Sequence, residues 1–593
     1  MNEKQSSSYE RDMGNNFFRA STKEFKKIPG SPIAYWMSAT FRNAFIKGES
    51  LQSVAGPRKG LATTDNSRFI RVWSEINFSD IQVNSKCRSS AMHSGKKWFP
   101  LNKGGNFRKW YGNKDFVINW KNDGEEIKAA VISAYGGGSY TKEIRSEDRY
   151  FSDGITWNAL TSSISSFRLT DYGAIFDSAG STMFPKDRTD CLLGMLNSRV
   201  TRESLYAINP TLNFGAGSVG GIPVIFPKND SIKKHTKQLI NFSVLDWNSY
   251  EQSWDFAGNP LLPPNHRQVK LNACYQSLRA HWRSVSLEMQ RLEEENNRIF
   301  IEAYGLQDEL TPEVPLKEIT LTCNPHYRYG GDKTEEELEA LLLADTMREF
   351  ISYAVGCMFG RYSLDKPGLI LANQGETLAD YLAQVPEPTY MPDKDNVIPM
   401  LDGDWFADDI TERFRRFLRM TFGEEHYEEN LRFIEEALNV KRKRNYSLRD
   451  YFLSEFYTDH LKRYKKRPIY WLFSSAKGSF NALIYMHRYR PDTVSVVLND
   501  YLREFRAKLL ARKNHLEALG ISASASQGEK TKALKEIEKI SKMIAEVDAY
   551  ERDTLYPLAT QQLEIDLDDG VKANYPKFGA ALKKIPGLEA KDD

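Results

Sequence analysis

The pattern of apolar residues changes at Leu262-Pro263-Pro264, and this change separates two kinds of structure. From about Pro29 to Pro227 the chain is rich in Gly, Ser, Asn and aromatic residues, with short strand-like runs between turn signals. Beyond the two prolines, apolar residues recur every three or four positions over long stretches, which is typical of amphipathic helices. The pattern predicts an α+β fold, with a strand-rich mixed domain followed by a mainly α-helical C-terminal region.

Several stretches carry a clear helical period. The predicted helices are Asp190–Leu205, a helix of about thirty residues from Leu271, Val496–Leu519 and Gly528–Arg552, and two further helical blocks are predicted over Thr334–Tyr362 and Ile410–Leu438. The last two are separated by the polar segment Ile521–Gln527, so we predict that they form a long antiparallel helical hairpin.

A chain of 593 residues is too long for one hydrophobic core, so several domains are expected. We divide it into a polar linker or N-terminal edge (1–28), the strand-rich mixed domain (29–230), a connecting segment with the long helix (231–310), a helical domain (311–490), and the helical hairpin with a C-terminal tail (491–593).

Composition excludes several classes of protein. No run approaches the roughly 18 apolar residues of a membrane span, and the polar N-terminus lacks the apolar core of a signal peptide, so a cytoplasmic protein without membrane contact is predicted. The five cysteines are far apart and never form C-x-x-C, and the nine histidines show no metal-binding spacing. We therefore expect reduced thiols and no metal site. The net charge is only +2, so any nucleic-acid surface must be local.

The segment Lys96–Lys114 interleaves cations, aromatic rings, amides and paired glycines. These groups suit nucleic acids, because cations bind phosphates, amides bind base edges and rings stack on bases. A hairpin with core aromatics and solvated lysines is the alternative. The predicted DNA contacts here are Lys97, Lys103, Asn106, Arg108, Lys109, Trp110 and Tyr111.

Two further segments are candidates for DNA contact. Gly60–Phe69 follows two cations and offers small hydroxyl and amide residues that can bind phosphate, although an Asx-rich turn explains it equally well. Lys441–Arg444 belongs to the most basic region, which indicates a polyanion-binding face or a solvated surface. The predicted contacts are Arg58, Lys59, Thr63, Thr64, Asn66, Arg68, Lys441, Arg442, Lys443 and Arg444.

No stretch predicts a cofactor site in this chain. The glycine-rich stretches Tyr135–Ser139 and Gly215–Gly221 do not open amphipathic helices as nucleotide-binding loops do, and no P-loop motif is present. Asn324-Pro325-His326-Tyr327 approaches the Asn-Pro-Pro-Tyr motif that holds a flipped adenine in amino-methyltransferases. Histidine replaces the second proline and no cofactor-binding unit precedes it, so we predict no catalytic residue.

Several strings resemble the C-terminal half of PglX, the family of adenine-specific DNA methyltransferases of bacterial BREX phage defence. The resemblance covers about residues 22–580. The matching strings are Ile28–Trp36, Gly60–Phe69, Lys97–Gly105, Phe107–Gly112, Gly154–Trp157, Asn209–Phe214, Ser253–Phe256 and Cys323–Tyr329.

The resemblance implies a DNA target-recognition domain over 29–230. Single-chain restriction and modification enzymes carry similar domains, with a Gly-x-x-Thr-Gly-x-Asn-x-x-Phe string, a Leu-Leu-x-x-Leu-Asn-Ser helix and an Ile-Pro-hydrophobic-Pro close. The corresponding stretches are Gly60–Phe69, Leu192–Ser198 and Ile222–Pro227. Thr64 replaces the usual glycine, which tolerates positive φ.

The family also carries, before this region, an S-adenosylmethionine-binding domain that this sequence does not show. The resemblance therefore implies a specificity half that binds no cofactor and is inactive alone, and we expect an expression fragment, a truncated gene or one polypeptide of a split enzyme. The expected partners are double-stranded DNA, the N-terminal methyltransferase domain or other BREX proteins, and a phage-encoded inhibitor. A complete enzyme with its site near Asn324 and a BREX scaffold are the alternatives.

Overall fold

The computed structural model describes residues 21–161, 164–211, 213–228, 231–263 and 268–588. The chain divides into two compact units. Unit 1 comprises the residues up to Thr64, Gln82–Trp247 and Trp282–Gly330; unit 2 comprises Asp65–Ile81, Asn248–His281 and the chain from Gly331 onward. Helices, several small sheets and a helical C-terminal region confirm the predicted α+β class. Of the predicted linker, residues 1–20 lie outside the described residues.

The elements are numbered in chain order. The helices are α1 Thr22–Phe25, α2 Ala39–Lys47, α3 Leu51–Ala55, α4 Asn66–Phe69, α5 Arg88–His93, α6 Lys121–Ala134, α7 Thr189–Leu196, α8 Arg199–Ile208, α9 Ala216–Gly220, α10 Ser231–Asn248, α11 Leu271–Tyr304, α12 Pro325–Tyr329, α13 Glu335–Met358, α14 Leu378–Gln384, α15 Ile410–Phe422, α16 Tyr427–Leu438, α17 Leu448–Tyr451, α18 Tyr457–Arg463, α19 Thr493–Val496, α20 Arg503–Ile521, α21 Gln527–Tyr550, α22 Tyr556–Gln561 and α23 Val571–Asn574. The strands are β1 Glu49–Ser50, β2 Ile70–Val72, β3 Trp98–Asn102, β4 Phe116–Asn119, β5 Gly154–Trp157, β6 Phe167–Thr170, β7 Ile175–Phe176, β8 Thr182–Met183, β9 Pro223–Val224, β10 Ile398–Pro399, β11 Tyr470–Ser474 and β12 Asn481–Tyr485.

Unit 1 is organised around short sheets. Strand β3 lies between β4, which pairs with it antiparallel, and β7, which pairs with it parallel. Strand β5 lies between β6 and β8, both antiparallel. Both β3 and β5 are buried along most of their length, and Trp98, Phe99 and Trp157 are at most 1% exposed, so these strands form the core beneath the loops.

The predicted helix Asp190–Leu205 is wrong in one respect, because the structure has two helices there, α7 and α8. Asn197 breaks the helix. Its Oδ1 accepts a hydrogen bond from the amide of Phe167 at 3.0 Å, and its Nδ2 donates to the Phe167 carbonyl at 3.0 Å. The side chain thereby pairs with the backbone of β6, and a new helix starts after Ser198.

Unit 2 is mainly helical. The predicted block Ile410–Leu438 is two helices, α15 and α16, because Gly423 adopts φ 82° and ends the first. The predicted hairpin is confirmed: α20 and α21 pack along each other and are joined by ion pairs between Arg512 and Glu536 (2.9 Å) and between Arg503 and Glu551 (2.8 Å). None of the helices in the described residues combines the length and the apolar character that crossing a bilayer requires.

Candidate nucleic-acid interface

The backbone of the Arg58–Thr64 loop is held against the segment around β7 and β8. Arg58 and Thr182 exchange two backbone hydrogen bonds of 2.9 and 3.1 Å, and the amide of Leu61 donates to the Phe176 carbonyl at 3.1 Å. Gly60 lies so close to this segment that an added Cβ would be 1.9 Å from the Phe176 carbonyl oxygen. Only glycine fits there, and the fixed backbone presents Arg58 and Lys59 to solvent.

Thr64 adopts a backbone conformation that favours glycine. Its φ is 62°, in the left-handed region, and its side chain is exposed while that of Thr63 is buried. In unit 2, Asp65 caps α4 by accepting a hydrogen bond from the amide of Arg68 at 3.1 Å. Asn66 is half-buried, and the exposed Arg68 guanidinium lies 4.9 Å from the centre of the Phe69 ring.

The loop between β3 and β4 turns at Gly104 and Gly105, whose φ values are 81° and 143°. It exposes Asn106, whose carbonyl accepts a 2.9 Å hydrogen bond from Nδ2 of Asn113. Lys103 is half-buried at the start of the loop, with its ammonium group 6.0 Å from the centre of the Phe116 ring, whereas the half-buried Lys97 lies at the opposite end of β3, with its ammonium group 5.3 Å from the centre of the Trp98 ring. The side-chain amide of Asn106 is therefore exposed to solvent at the tip of a constrained turn.

Arg108 and Lys109 are buried in ion pairs. Arg108 donates to Asp246 at 2.7 Å and to the Thr322 hydroxyl at 2.9 Å, and its guanidinium lies 5.1 Å from the centre of the Trp247 ring. Lys109 pairs with Glu293, which also accepts a 2.7 Å hydrogen bond from the indole nitrogen of Trp110. These two cations fasten the segment to α10 and α11.

Trp110 and Tyr111 also belong to the interior of unit 1. Trp110 is fully buried, and its backbone exchanges hydrogen bonds with Phe167 (2.9 Å) and Leu169 (2.8 Å). Tyr111 is 6% exposed, and its hydroxyl accepts a 2.8 Å hydrogen bond from Lys114, which pairs with Asp171 at 2.6 Å. Both rings are occupied by core contacts.

A buried pair beneath the loop, Asn158 and Arg168, escaped the sequence prediction. Asn158 donates to the Gly105 carbonyl at 2.7 Å and accepts from Arg168 at 2.7 Å, and Arg168 also donates to the Arg108 carbonyl at 3.0 Å. Burial lowers the pKa of Arg168 to about 10. Together they support both ends of the exposed turn. Asn158 directly follows the Gly154–Trp157 string, whereas no sequence string indicates Arg168.

Lys142 and Arg145 are two exposed cations beside the Arg58–Thr64 loop that sequence reasoning also missed. The amide of Ala62 donates to the Glu143 carbonyl at 3.0 Å, and the Ser146 hydroxyl donates to the Lys59 carbonyl at 3.1 Å. Exposed cations from two distant stretches of sequence are thus brought together on one backbone frame.

The basic turn Lys441–Arg444 lies in unit 2 and is exposed throughout. Asn439 fixes it by exchanging two 2.8 Å hydrogen bonds with the backbone of Lys443. The ammonium group of Lys443 pairs with Glu455 at 3.0 Å. The turn therefore has a defined conformation that presents the other three cations to solvent.

Asn324 has a structural role. It is 1% exposed, donates from Nδ2 to the carbonyls of Leu316 (2.8 Å) and Ile319 (2.9 Å), and caps α12 by accepting from the amide of His326. Tyr327 donates from its hydroxyl to the Phe107 carbonyl. In the part of the chain that the structure describes, no group of three His, Cys, Asp or Glu side chains is placed to hold a metal ion.

Comparison with known proteins confirms the sequence resemblance. No family model matches the chain. It is 37% identical over 588 residues to the adenine-specific methyltransferase BrxX of Escherichia coli O9:H4 (strain HS), covering 97% of this chain and 46% of that protein. It is 36% identical over 590 residues to the adenine-specific methyltransferase PglX of Lacticaseibacillus casei (strain Zhang), with the same coverage of each. The chain spans about half the length of the curated relatives it matches.

Proposed function

This chain is a homologue of the BREX adenine-specific methyltransferases BrxX and PglX, and from that premise we propose that it supplies sequence-specific recognition of double-stranded DNA. The observation that carries the proposal is the exposed cationic surface of unit 1. Lys59, Lys142 and Arg145 project from one hydrogen-bonded frame, which suits contact with phosphates. Such contacts set the position of a protein on DNA, and base contacts then set its sequence preference.

The proposed base-reading element is the turn that exposes Asn106. An asparagine amide can bind the N6 and N7 edge of adenine with two hydrogen bonds. Thr64 and Lys103 are proposed to contact DNA near this turn, together with Arg58 and Lys59, and Lys97 is proposed as a separate phosphate contact at the other end of β3. Within residues 29–230, Thr63, Arg108, Lys109, Trp110 and Tyr111 act by holding these loops, because all five side chains are buried. In unit 2, we propose further contacts with the DNA phosphate backbone by Asn66, Arg68 and Lys441–Arg444.

Methyl transfer is proposed to be the work of the part of the relatives' length that this sequence does not span. An enzyme that acts on adenine in a duplex must extrude the base into a pocket beside the methyl donor. S-adenosylmethionine is the donor we expect there, in the bacterial cytoplasm. In this chain the Asn324 amide is engaged in capping and loop contacts, so it is not available to hold a base.

The test combines DNA binding with methyl transfer. In a gel-shift assay, we expect the chain to bind duplex DNA with a preference for one sequence. Without a partner, the chain should incorporate no radiolabelled methyl group into DNA. Co-expression with the unmatched part of E. coli BrxX should restore sequence-specific adenine methylation. Methyl-adenine made by the single chain and lost in Asn324→Ala would show a complete enzyme instead. Weak, sequence-indifferent DNA binding with tight protein association would favour a scaffold.

A further inference from the structure

A cavity of about 750 Å³ lies in unit 2, between the end of strand β11 and the chain that follows Tyr575. The two sides are joined by backbone contacts. Phe473 and Leu582 are bridge partners, and the amide of Lys583 donates to the Leu472 carbonyl at 2.8 Å. The volume lies within the roughly 300–1,000 Å³ that small-molecule sites enclose. The cavity is therefore formed by the fold and is large enough for a ligand.

Much of the cavity wall is apolar. Leu582, Ile585 and Leu588 line it and are buried. Gly579 and Ala580 also line it and are exposed, and a Cβ added to Gly579 would meet no atom within 4 Å. The buried side chains offer an apolar wall, and the small residues leave room beside them.

The charge at the cavity is positive. The described residues that line it include Lys583 and Lys584 but no Asp or Glu. Both lysines are exposed, and neither ammonium group has a hydrogen bond or an ion pair with a described residue. The ammonium group of Lys466 lies near Gly587 of the wall, 3.1 Å from the place where a Cβ would be. A cleft lined by cations that no carboxylate neutralises concentrates positive potential and attracts an anion.

The turn that begins at Ser475 borders the cavity and already binds a carboxylate, that of Glu546. The carboxylate accepts hydrogen bonds from the Ser475 hydroxyl at 2.5 Å, from the amide of Lys477 at 2.6 Å and from the Ser479 hydroxyl. By contrast, the hydroxyl of Ser474, which lines the cavity, donates only a long 3.3 Å bond to the Ser475 carbonyl. Glu546 thus satisfies the turn and leaves the lysines of the cavity, with the Ser474 hydroxyl, to a ligand.

We infer that this cavity binds a nucleotide through its phosphate group. Lysine ammonium groups are common phosphate ligands, and Lys583 and Lys584 supply two of them. The cavity is much larger than a phosphate ion, so its apolar wall is left for the sugar and the base. A free nucleotide and the end of a single strand present the same chemistry. The inference is independent of the proposed function, because the cavity lies in unit 2 and shares no residue with the DNA surface proposed for unit 1.

Isothermal titration calorimetry of the full chain with each common nucleoside 5′-monophosphate tests the inference. At least one should bind, and its nucleoside and inorganic phosphate should each bind at least about tenfold more weakly, because each offers only part of the ligand. Lys583→Ala with Lys584→Ala should weaken binding about tenfold or more. Lys577→Ala is the matched control, since Lys577 is exposed on the same stretch of chain but does not line the cavity.

A second variant fills the cavity without changing its charge. Ala580→Trp places a large ring on the wall and should abolish binding, and the exposure of Ala580 makes the change compatible with folding. Ala573→Trp is its control, because Ala573 is exposed on α23 and does not line the cavity.

A short single-stranded oligonucleotide identifies the source of the phosphate. Tighter binding than the free nucleotide, with the same loss in the variants, would assign the cavity to the end of a strand; equal or weaker binding would assign it to the free nucleotide. The inference is overturned if neither ligand binds, if binding survives both cavity variants, or if inorganic phosphate binds as tightly as the nucleotide. Loss of duplex DNA affinity in Lys583→Ala with Lys584→Ala, without nucleotide binding by the wild type, would also overturn it.

Discussion

Arg108 donates a 2.7 Å hydrogen bond to Asp246, and the two side chains are 4% and 3% exposed. The Asp246 carboxylate also accepts the amides of Thr322 at 2.8 Å and Cys323 at 3.0 Å. One carboxylate therefore joins three separate stretches of unit 1. A cation within the stretch that looks most like a nucleic-acid contact in sequence is part of the interior of the protein.

Arg108→Ala should lower the free energy of unfolding by about 3–5 kcal/mol, because it leaves the Asp246 carboxylate buried without its counter-charge. Urea denaturation measures this. The double variant Arg108→Met with Asp246→Leu removes both charges but leaves the amides of Thr322 and Cys323 without their acceptor, so it should recover only part of the loss. Equal stability of the wild type and Arg108→Ala would show that the pair is not formed.

Lys59→Ala, Lys142→Ala and Arg145→Ala should each weaken duplex DNA binding several-fold without lowering stability, because each removes an exposed cation. The slope of log affinity against log salt should fall in magnitude by about 0.9 for each phosphate that the variant no longer neutralises. Lys535→Ala is the control, since Lys535 is exposed on α21 in unit 2. Equal losses of affinity for all four variants would move the DNA surface elsewhere.

Binding of duplex DNA by the wild-type chain should fall steeply with salt. With about six phosphate contacts, affinity should drop roughly a thousandfold between about 50 and 200 mM salt. Fluorescence anisotropy with a labelled duplex measures the dependence. Affinity that stays flat over this range would contradict the proposed cationic surface.

Unit 2 should lose stability as the pH rises toward neutrality because of Asp395. Burial, and then repulsion by the Asp393 carboxylate, raise the pKa of Asp395 from 3.8 to about 7. The folded state therefore keeps a proton that the unfolded state releases between these values, so its stability falls across that window and levels off above it. Asp395→Asn should remove this contribution. The prediction is refuted if the unfolding free energies of the wild type and of Asp395→Asn differ by the same amount at every pH from 4.5 to 8.

In the Arg58–Thr64 loop, introducing a glycine at one position and removing one at another should have opposite effects on stability. Thr64→Gly should stabilise the protein by about 0.5–1 kcal/mol, because Thr64 holds a φ of 62° that glycine adopts freely. Gly60→Ala should destabilise it by about 1–3 kcal/mol, because the new Cβ meets the Phe176 carbonyl. Thermal denaturation checks both signs, and a destabilised Thr64→Gly would mean that the side chain is needed for the loop.

The features that sequence predicted well are those set by local pattern. The helical hairpin follows from periodic apolar residues on both sides of a polar segment, and that information is contained in each helix. The environment of Arg108 and Lys109 does not follow, because their carboxylate partners are 138 and 184 residues away in sequence. Whether these two side chains are buried or exposed depends on long-range contacts, which no local sequence pattern encodes.

The dependence on long-range contacts also explains the other differences between the sequence predictions and the structure. Asn197 ends a helix only because Phe167 offers a strand backbone to pair with, and apolar spacing continues through it. Lys142 joins the proposed DNA surface only because the backbone of Ala62 meets that of Glu143. The amino acids suited to DNA were recognised from sequence, but which of them reach the surface was decided by tertiary packing.

The tip of the helical hairpin gives an experimental handle on the molecule. Ile521 ends α20 and Ser526 caps α21, so the four small residues between them join two antiparallel helices whose ends are close together. Exposed tips of this kind accept inserted sequence with little effect on the elements they join. A fluorescent protein or an affinity tag placed after Ala523 would report on this chain in living cells while leaving the sequence of every loop of unit 1 unaltered.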